Sequence, residues 1–157
     1  MNAQAPAVGV LVASPSELAV MQQAAAILEK LGVAHEVRLM SSSRNPDLVD
    51  EYARTAFERG LKVLVCTTGI SGHLAAAMAA RTVLPVIGVP VASEQMGGDQ
   101  ALYVTAQMPS GVPVATVGVD ASVNAAVLAA EIVGVGDPEL QTKLWKFKDD
   151  LAEGLRL

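Results

Sequence analysis

The chain has 157 residues, enough for one domain with a sizeable core. Hydrophobic residues make up 52% and charged residues 17%, which excludes an intrinsically disordered chain. A net charge of −5 and an aromatic share of 3% argue against nucleic-acid or anionic-membrane partners, yet allow a small anionic ligand held by amides and one arginine.

Residues 1–7 lack the basic start and apolar core of a signal peptide and read as a loose leader. The run 8–13 is apolar and predicts a buried strand. Residues 16–31 place Leu18, Met21, Ala25, Leu28 and Leu31 at helical spacing, with Gly32 as the stop. An alternating strand follows over 35–40, then a helix over 46–59 ended by Gly60. The third strand is predicted over 62–66, an alanine-rich helix over 72–81, and the fourth strand over 85–90. The segment 90–111 reads as a long loop, and such loops are often functional. A fifth strand over 112–119, a helix over 122–133 and a last helix from 137 to about 153 complete the chain. Asp137 is the expected cap of that last helix, and Pro138 its first residue. No run approaches the ~20 apolar residues of a membrane span.

Alternating strands and helices predict an α/β fold: an open, mainly parallel sheet with helices on both faces. Ligands of such sheets bind beyond the carboxyl ends of the strands. The loops of interest are therefore 13–17, 40–46, 67–73 and 90–111. In the first, Ser14, Pro15 and Glu17 have the spacing of a capping box, and Ser14 and Ser16 can also meet an anion at a helix start. In the second, Asn45 can cap the helix that Pro46 starts. Ser41, Ser42, Ser43 and Arg44 make a phosphate cradle with one charge-assisted donor.

The third loop, Thr67-Thr68-Gly69-Ile70-Ser71-Gly72-His73-Leu74, sets one of only two histidines at a strand-to-helix turn. Gly69 and Gly72 allow close backbone approach, and an imidazole can accept and return a proton near neutral pH. The other histidine, His35, lies on an alternating strand and reads as structural. In the fourth loop, Gly97-Gly98 can let the chain fold over a ligand, and Met108-Pro109 can line an apolar wall. The single cysteine, Cys66, lies inside an apolar run and reads as a core thiol, compatible with a reducing cytoplasm. Two separated histidines and one cysteine do not build a typical zinc site, and no phosphate-loop or Gly-x-Gly-x-x-Gly motif is present.

These loops resemble those of the PurE family, the 5-(carboxyamino)imidazole ribonucleotide mutases and aminoimidazole ribonucleotide carboxylases of purine biosynthesis. The resemblance runs from about Val8 to the last helix. It is strongest over 52–63, at Gly72-His73-Leu74, over 84–91, over 107–116 and over 124–130. It implies a single flavodoxin-like, three-layer αβα domain, a homo-octamer in the cytoplasm, and no metal or organic cofactor. The last helix, with Trp145 and Phe147, would be free to pack on a neighbouring subunit. The implied substrate is a ribonucleotide whose carboxylate moves from the exocyclic nitrogen to the ring carbon.

By the same resemblance His73 matches the proton-shuttling histidine, and Ser14 and Arg44 match phosphate-binding positions. Glu17 stands where an aspartate binds the ribose. Ser16, Ser41, Ser43, Gly69, Ser71, Gly72 and Leu74 complete the expected binding site. The chain departs from the pattern at Ser43, where the family carries a second histidine, at Ala13 and Ile70, where it carries glycines, and at Asp99, displaced by one position. Two alternatives stand beside the mutase: a diverged enzyme acting on another nucleotide, and a nucleotide-binding paralogue without catalysis.

Overall fold

The computed structural model describes residues 5–69, 73–95 and 97–157. Five parallel strands, β1 (Val8–Val12), β2 (His35–Leu39), β3 (Val63–Thr68), β4 (Val86–Pro90) and β5 (Ala115–Thr116), lie in the order β2-β1-β3-β4-β5. That is the order of a flavodoxin-like doubly wound sheet, in which the chain reverses direction across β1 and β3. The helices are α1 (Leu18–Leu31), α2 (Pro46–Thr55), α3 (His73–Ala79), α4 (Gly98–Ala106), α5 (Ser122–Gly134) and α6 (Pro138–Ala152). None is long and apolar enough to cross a membrane.

The central strands are runs of branched aliphatics because both their faces are buried. Val8, Val10 and Val12 of β1, Val63 and Val65 of β3, and Ile87 and Val89 of β4 point into one core, closed by α1, α5 and α6. The intervening Leu11, Leu64, Cys66 and Val86 point into a second core, closed by α2 and α3. Each such side chain contributes about 1.5–3 kcal/mol on burial, so a one-residue slip of register would forfeit both cores together. The register observed pairs Val8 with Val63 and Leu64 with Val86.

Helix α1 buries Met21, Ala24, Ile27, Leu28 and Leu31, and Gly32 ends it in the left-handed region at φ 73°. There the Gly32 and Val33 amides bond back to Glu29 and Leu28. Helix α5 buries Ala125, Ala126, Ala129 and Ala130, a face small enough to lie close on the sheet and against α1. Helix α6 begins as expected: the Asp137 carboxylate accepts from the Glu139 and Leu140 amides, and Pro138 is its first residue.

Several expectations need correction. The segment 98–106 is helical, α4, packed on β4 and β5, so the fourth loop is shorter than 90–111. Helix α2 stops at Thr55, and a run of turns carries the chain to Gly60 at φ 95°. The fifth strand shrinks to two residues at the sheet edge, while β3 extends through Thr68. Of the leader, residues 1–4 lie outside the described residues. Ala7 is tied to the sheet by bonds to Ala34 and Lys62.

Candidate active site

Four strand ends open into one cleft of about 490 Å³. Beyond β1 come Ala13, Ser14, Ser16 and Glu17; beyond β2, Ser41 to Arg44; from β3 and α3, Thr67, Gly69, His73 and Leu74; beyond β4, residues 91–95. Nine expected site residues therefore share one cavity: Ser14, Ser16, Glu17, Ser41, Ser43, Arg44, Gly69, His73 and Leu74. Ser71 and Gly72 lie outside the described residues. His35 is remote on β2, where its Nδ1 sits 3.0 Å from the Val33 carbonyl. Met108 and Pro109 are not among the lining residues.

The first loop does not form the expected capping box. Ser14 precedes a short 3-10 turn over Pro15–Glu17, and its hydroxyl meets Ser16 Oγ at 3.0 Å instead of an amide. The Glu17 side chain turns inward and is 8% exposed. Its Oε2 accepts a 2.5 Å bond from Thr67 Oγ1, which itself accepts from the Ala13 amide at 2.9 Å. The long-range partner prevails because it lies at the strand end, where a buried carboxylate must find a donor.

The second loop holds its own shape. Asn45 accepts from the Ser41 amide at 2.6 Å instead of capping α2, and Ser41 Oγ accepts from the Arg44 amide at 3.3 Å. Arg44 donates from Nη2 to the Ala13 carbonyl at 2.7 Å, joining the first loop to the second with one of its five N–H groups. His73 is exposed at the first residue of α3, and Leu74 behind it is buried. In the fourth loop the Ala92 amide donates to Asp120 Oδ1 at 3.1 Å. Asp120 holds a left-handed backbone at φ 55° while its own amide bonds Pro90.

The cleft thus combines a cation at Arg44, a buried carboxylate at Glu17, an exposed imidazole and several hydroxyls. Cys66, one residue before Thr67, is fully buried, and burial pushes its thiol far above the ordinary range. It is packing, not a nucleophile. No group of three metal-ligating side chains forms among the described residues. A second, larger hollow of about 650 Å³ between α2 and α3 has no histidine, and its charges answer one another: Arg54 lies 2.7 Å and Arg81 3.2 Å from Asp50.

Ala13, Thr67 and the stretch 91–95 also line the cleft; the sequence marked their loops but did not single these residues out. For Thr67 a signal was present, a hydroxyl ending an otherwise apolar strand. For 91–95 the signal was only the length of the loop.

The family model for AIR carboxylase matches residues 7–154. An N5-carboxyaminoimidazole ribonucleotide mutase of Pyrococcus abyssi is 45% identical over 146 residues, 93% of this chain and 84% of that protein. A phosphoribosylaminoimidazole carboxylase of Schizosaccharomyces pombe is 42% identical over 150 residues, 96% of this chain and 27% of that longer protein. The crystal structure of Treponema denticola PurE superposes with a TM-score of 0.84 at 25% identity, covering 94% of this chain and 92% of that one. With a match of this extent, the chain belongs to the AIR carboxylase, or PurE, family.

Proposed function

We propose that this protein is an N5-carboxyaminoimidazole ribonucleotide mutase of purine biosynthesis, moving a carboxylate from the exocyclic nitrogen to C4 of aminoimidazole ribonucleotide. The observation that carries the proposal is the meeting of His73, Arg44, Ser14 and Glu17 in one cleft at the switch point of the sheet. Near 45% identity to proteins named for this activity supports the same conclusion.

Breaking the nitrogen–carboxylate bond consumes one proton at nitrogen and releases carbon dioxide. Forming the bond to C4 releases one proton from carbon. The sum is zero, so a single imidazole can give the first proton and take the second, returning to its starting state. His73 fills this role. Arg44, with guanidinium N–H groups beyond the one given to Ala13, and Ser14 and Ser16 hold the phosphate. Glu17 accepts from the ribose hydroxyls. Ser41, Ser43, Gly69 and Leu74 complete the wall that keeps carbon dioxide from escaping, and likeness to the family gives Ser71 and Gly72 a part in binding the substrate. No step requires a metal or organic cofactor.

The enzyme acts in the cytoplasm as a single-domain subunit of a homo-oligomer, an octamer by likeness to its family. The exposure of Trp145 at 72% and Val135 at 80% supports self-association.

The deciding experiment is an assay of the purified protein with N5-carboxyaminoimidazole ribonucleotide, paired with rescue of a purine auxotroph lacking its mutase. Turnover and rescue are expected. His73→Asn should lower kcat at least about 100-fold, the lower scale of lost acid–base catalysis, with an unchanged circular dichroism spectrum. No turnover by the wild type, with binding of a different nucleotide, would point to another substrate.

A further inference from the structure

Glu17 is a buried carboxylate with no ion-pair partner among the described residues. Carboxylates seldom stay buried without a cation, and leaving one without donors is costly. Among the described residues its side chain is bonded by Thr67, whose own side chain is completely buried.

The direction of that bond is settled by proton counting. Thr67 Oγ1 accepts from the Ala13 amide, which can only donate. The hydroxyl has a single proton of its own, and that proton therefore points at Glu17 Oε2. Oε2 is held as an acceptor, and the carboxyl group is pinned at one oxygen. The other oxygen, Oε1, lies over the α-carbon of Gly69, in the space any side chain there would occupy. All three residues line the cleft. A tie between β1 and β3 needs only the bond from Ala13 to Thr67. The added burial of a carboxylate is accounted for when its second oxygen serves a ligand.

We propose that Thr67 is a positioning residue: through a one-way relay from the Ala13 amide it fixes the Glu17 carboxylate, so that Oε1 over Gly69 accepts from the ribose hydroxyls of the substrate. This rests on the proposed ribonucleotide chemistry of the cleft, and its test separates the two.

Wild type, Thr67→Val, Thr67→Ser, Glu17→Gln and the Thr67→Val/Glu17→Gln double variant are compared. Each is read by steady-state kinetics on N5-carboxyaminoimidazole ribonucleotide and by calorimetric titration with ribose 5-phosphate. Thr67→Val should raise KM and weaken ribose 5-phosphate binding at least about tenfold, the scale of a hydrogen bond to a charged group, with kcat within about threefold of wild type. Thr67→Ser should recover most of the loss, since it restores donor and acceptor alike. The double variant should be no worse than Glu17→Gln alone, because the relay acts only through that carboxylate. If Thr67→Val does not fold with its Ala13 amide unpartnered, Thr67→Ala replaces it in the cycle, because it leaves space for a water at that amide.

Additive losses in the cycle overturn the proposal, as does a Thr67→Ser variant as impaired as Thr67→Val, or a fall in kcat with KM unmoved. A wild type that does not convert the ribonucleotide but binds ribose 5-phosphate overturns the function alone, and the same cycle read by binding still decides the role of Thr67. A wild type that binds neither overturns both.

Discussion

At the scale of single residues, the cleft depends on Gly69 as much as on any group that reacts. A methyl at this position would meet Glu17 Oε1 well inside contact distance. Gly69→Ala must therefore displace the carboxylate or shift the loop. It should cost about 1–3 kcal/mol of stability, the usual range for overpacking, together with a raised KM. Urea denaturation and steady-state kinetics measure the two effects, and an unchanged KM would show that Glu17 does not touch substrate. Much at this scale was readable beforehand, because His73, Arg44 and the serines announce themselves by residue type at a strand end. What escaped notice was Glu17's choice of partner. Local spacing favoured a reciprocal cap with Ser14, but the bond goes to Thr67, fifty residues away in sequence and visible only once β1 and β3 are side by side.

At the scale of elements, the edge strand β2 is held by charge more than by burial. Glu36 accepts from Tyr52 Oη of α2 at 2.8 Å, and it pairs with Arg59 of the following turns and with Arg38 at 3.1 Å. Burial pushes its carboxyl up, but the Tyr52 hydrogen bond and the two guanidinium groups outweigh this and hold it below its usual value. A group lowered in the folded state stabilises the fold at pH above its unfolded value, and that stability is lost as pH falls through the folded value. Thermal midpoints should thus fall as pH drops below the ordinary carboxylate range, and Glu36→Gln should flatten that fall. The same slope in both proteins would remove Glu36 as the cause. Elements with a clear period were legible: α1 shows its stripe from Met21 to Leu31, and the strands show their aliphatic runs. Helix α4 was not. It buries only Ala101 and Thr105, and Tyr103 and Val104 are exposed, so its apolar residues trace no single face. Its packing is tertiary: Gly88 of β4 leaves room for Thr105 to settle on the sheet, a contact with no local trace.

At the scale of the whole molecule, α5 and α6 present an apolar hollow of about 290 Å³ outward, lined by Gly134, Val135, Leu144 and Trp145. Phe147, the other aromatic of α6, faces the core instead, so the two rings of this helix are divided between inside and outside. If α6 packs on a second copy, Trp145→Glu places a charge in that contact. It should lower the molar mass seen in sedimentation by at least half, with the secondary structure retained. An unchanged mass would move the interface to other exposed apolar residues such as Tyr103 and Phe57.

The shared strands have a further consequence. Because β1, β3 and β4 send alternate side chains into two cores, neither layer of helices can detach without wetting the strands that support the other. The rigidity of the sheet is thus common property of the molecule, while each loop of the cleft hangs from a separate strand end. The loops are nonetheless tied to one another, Arg44 of the second to Ala13 of the first and Thr67 at the end of β3 to both Ala13 and Glu17. A substitution in one loop is therefore felt in its neighbours, while the sheet beneath them stays as it is.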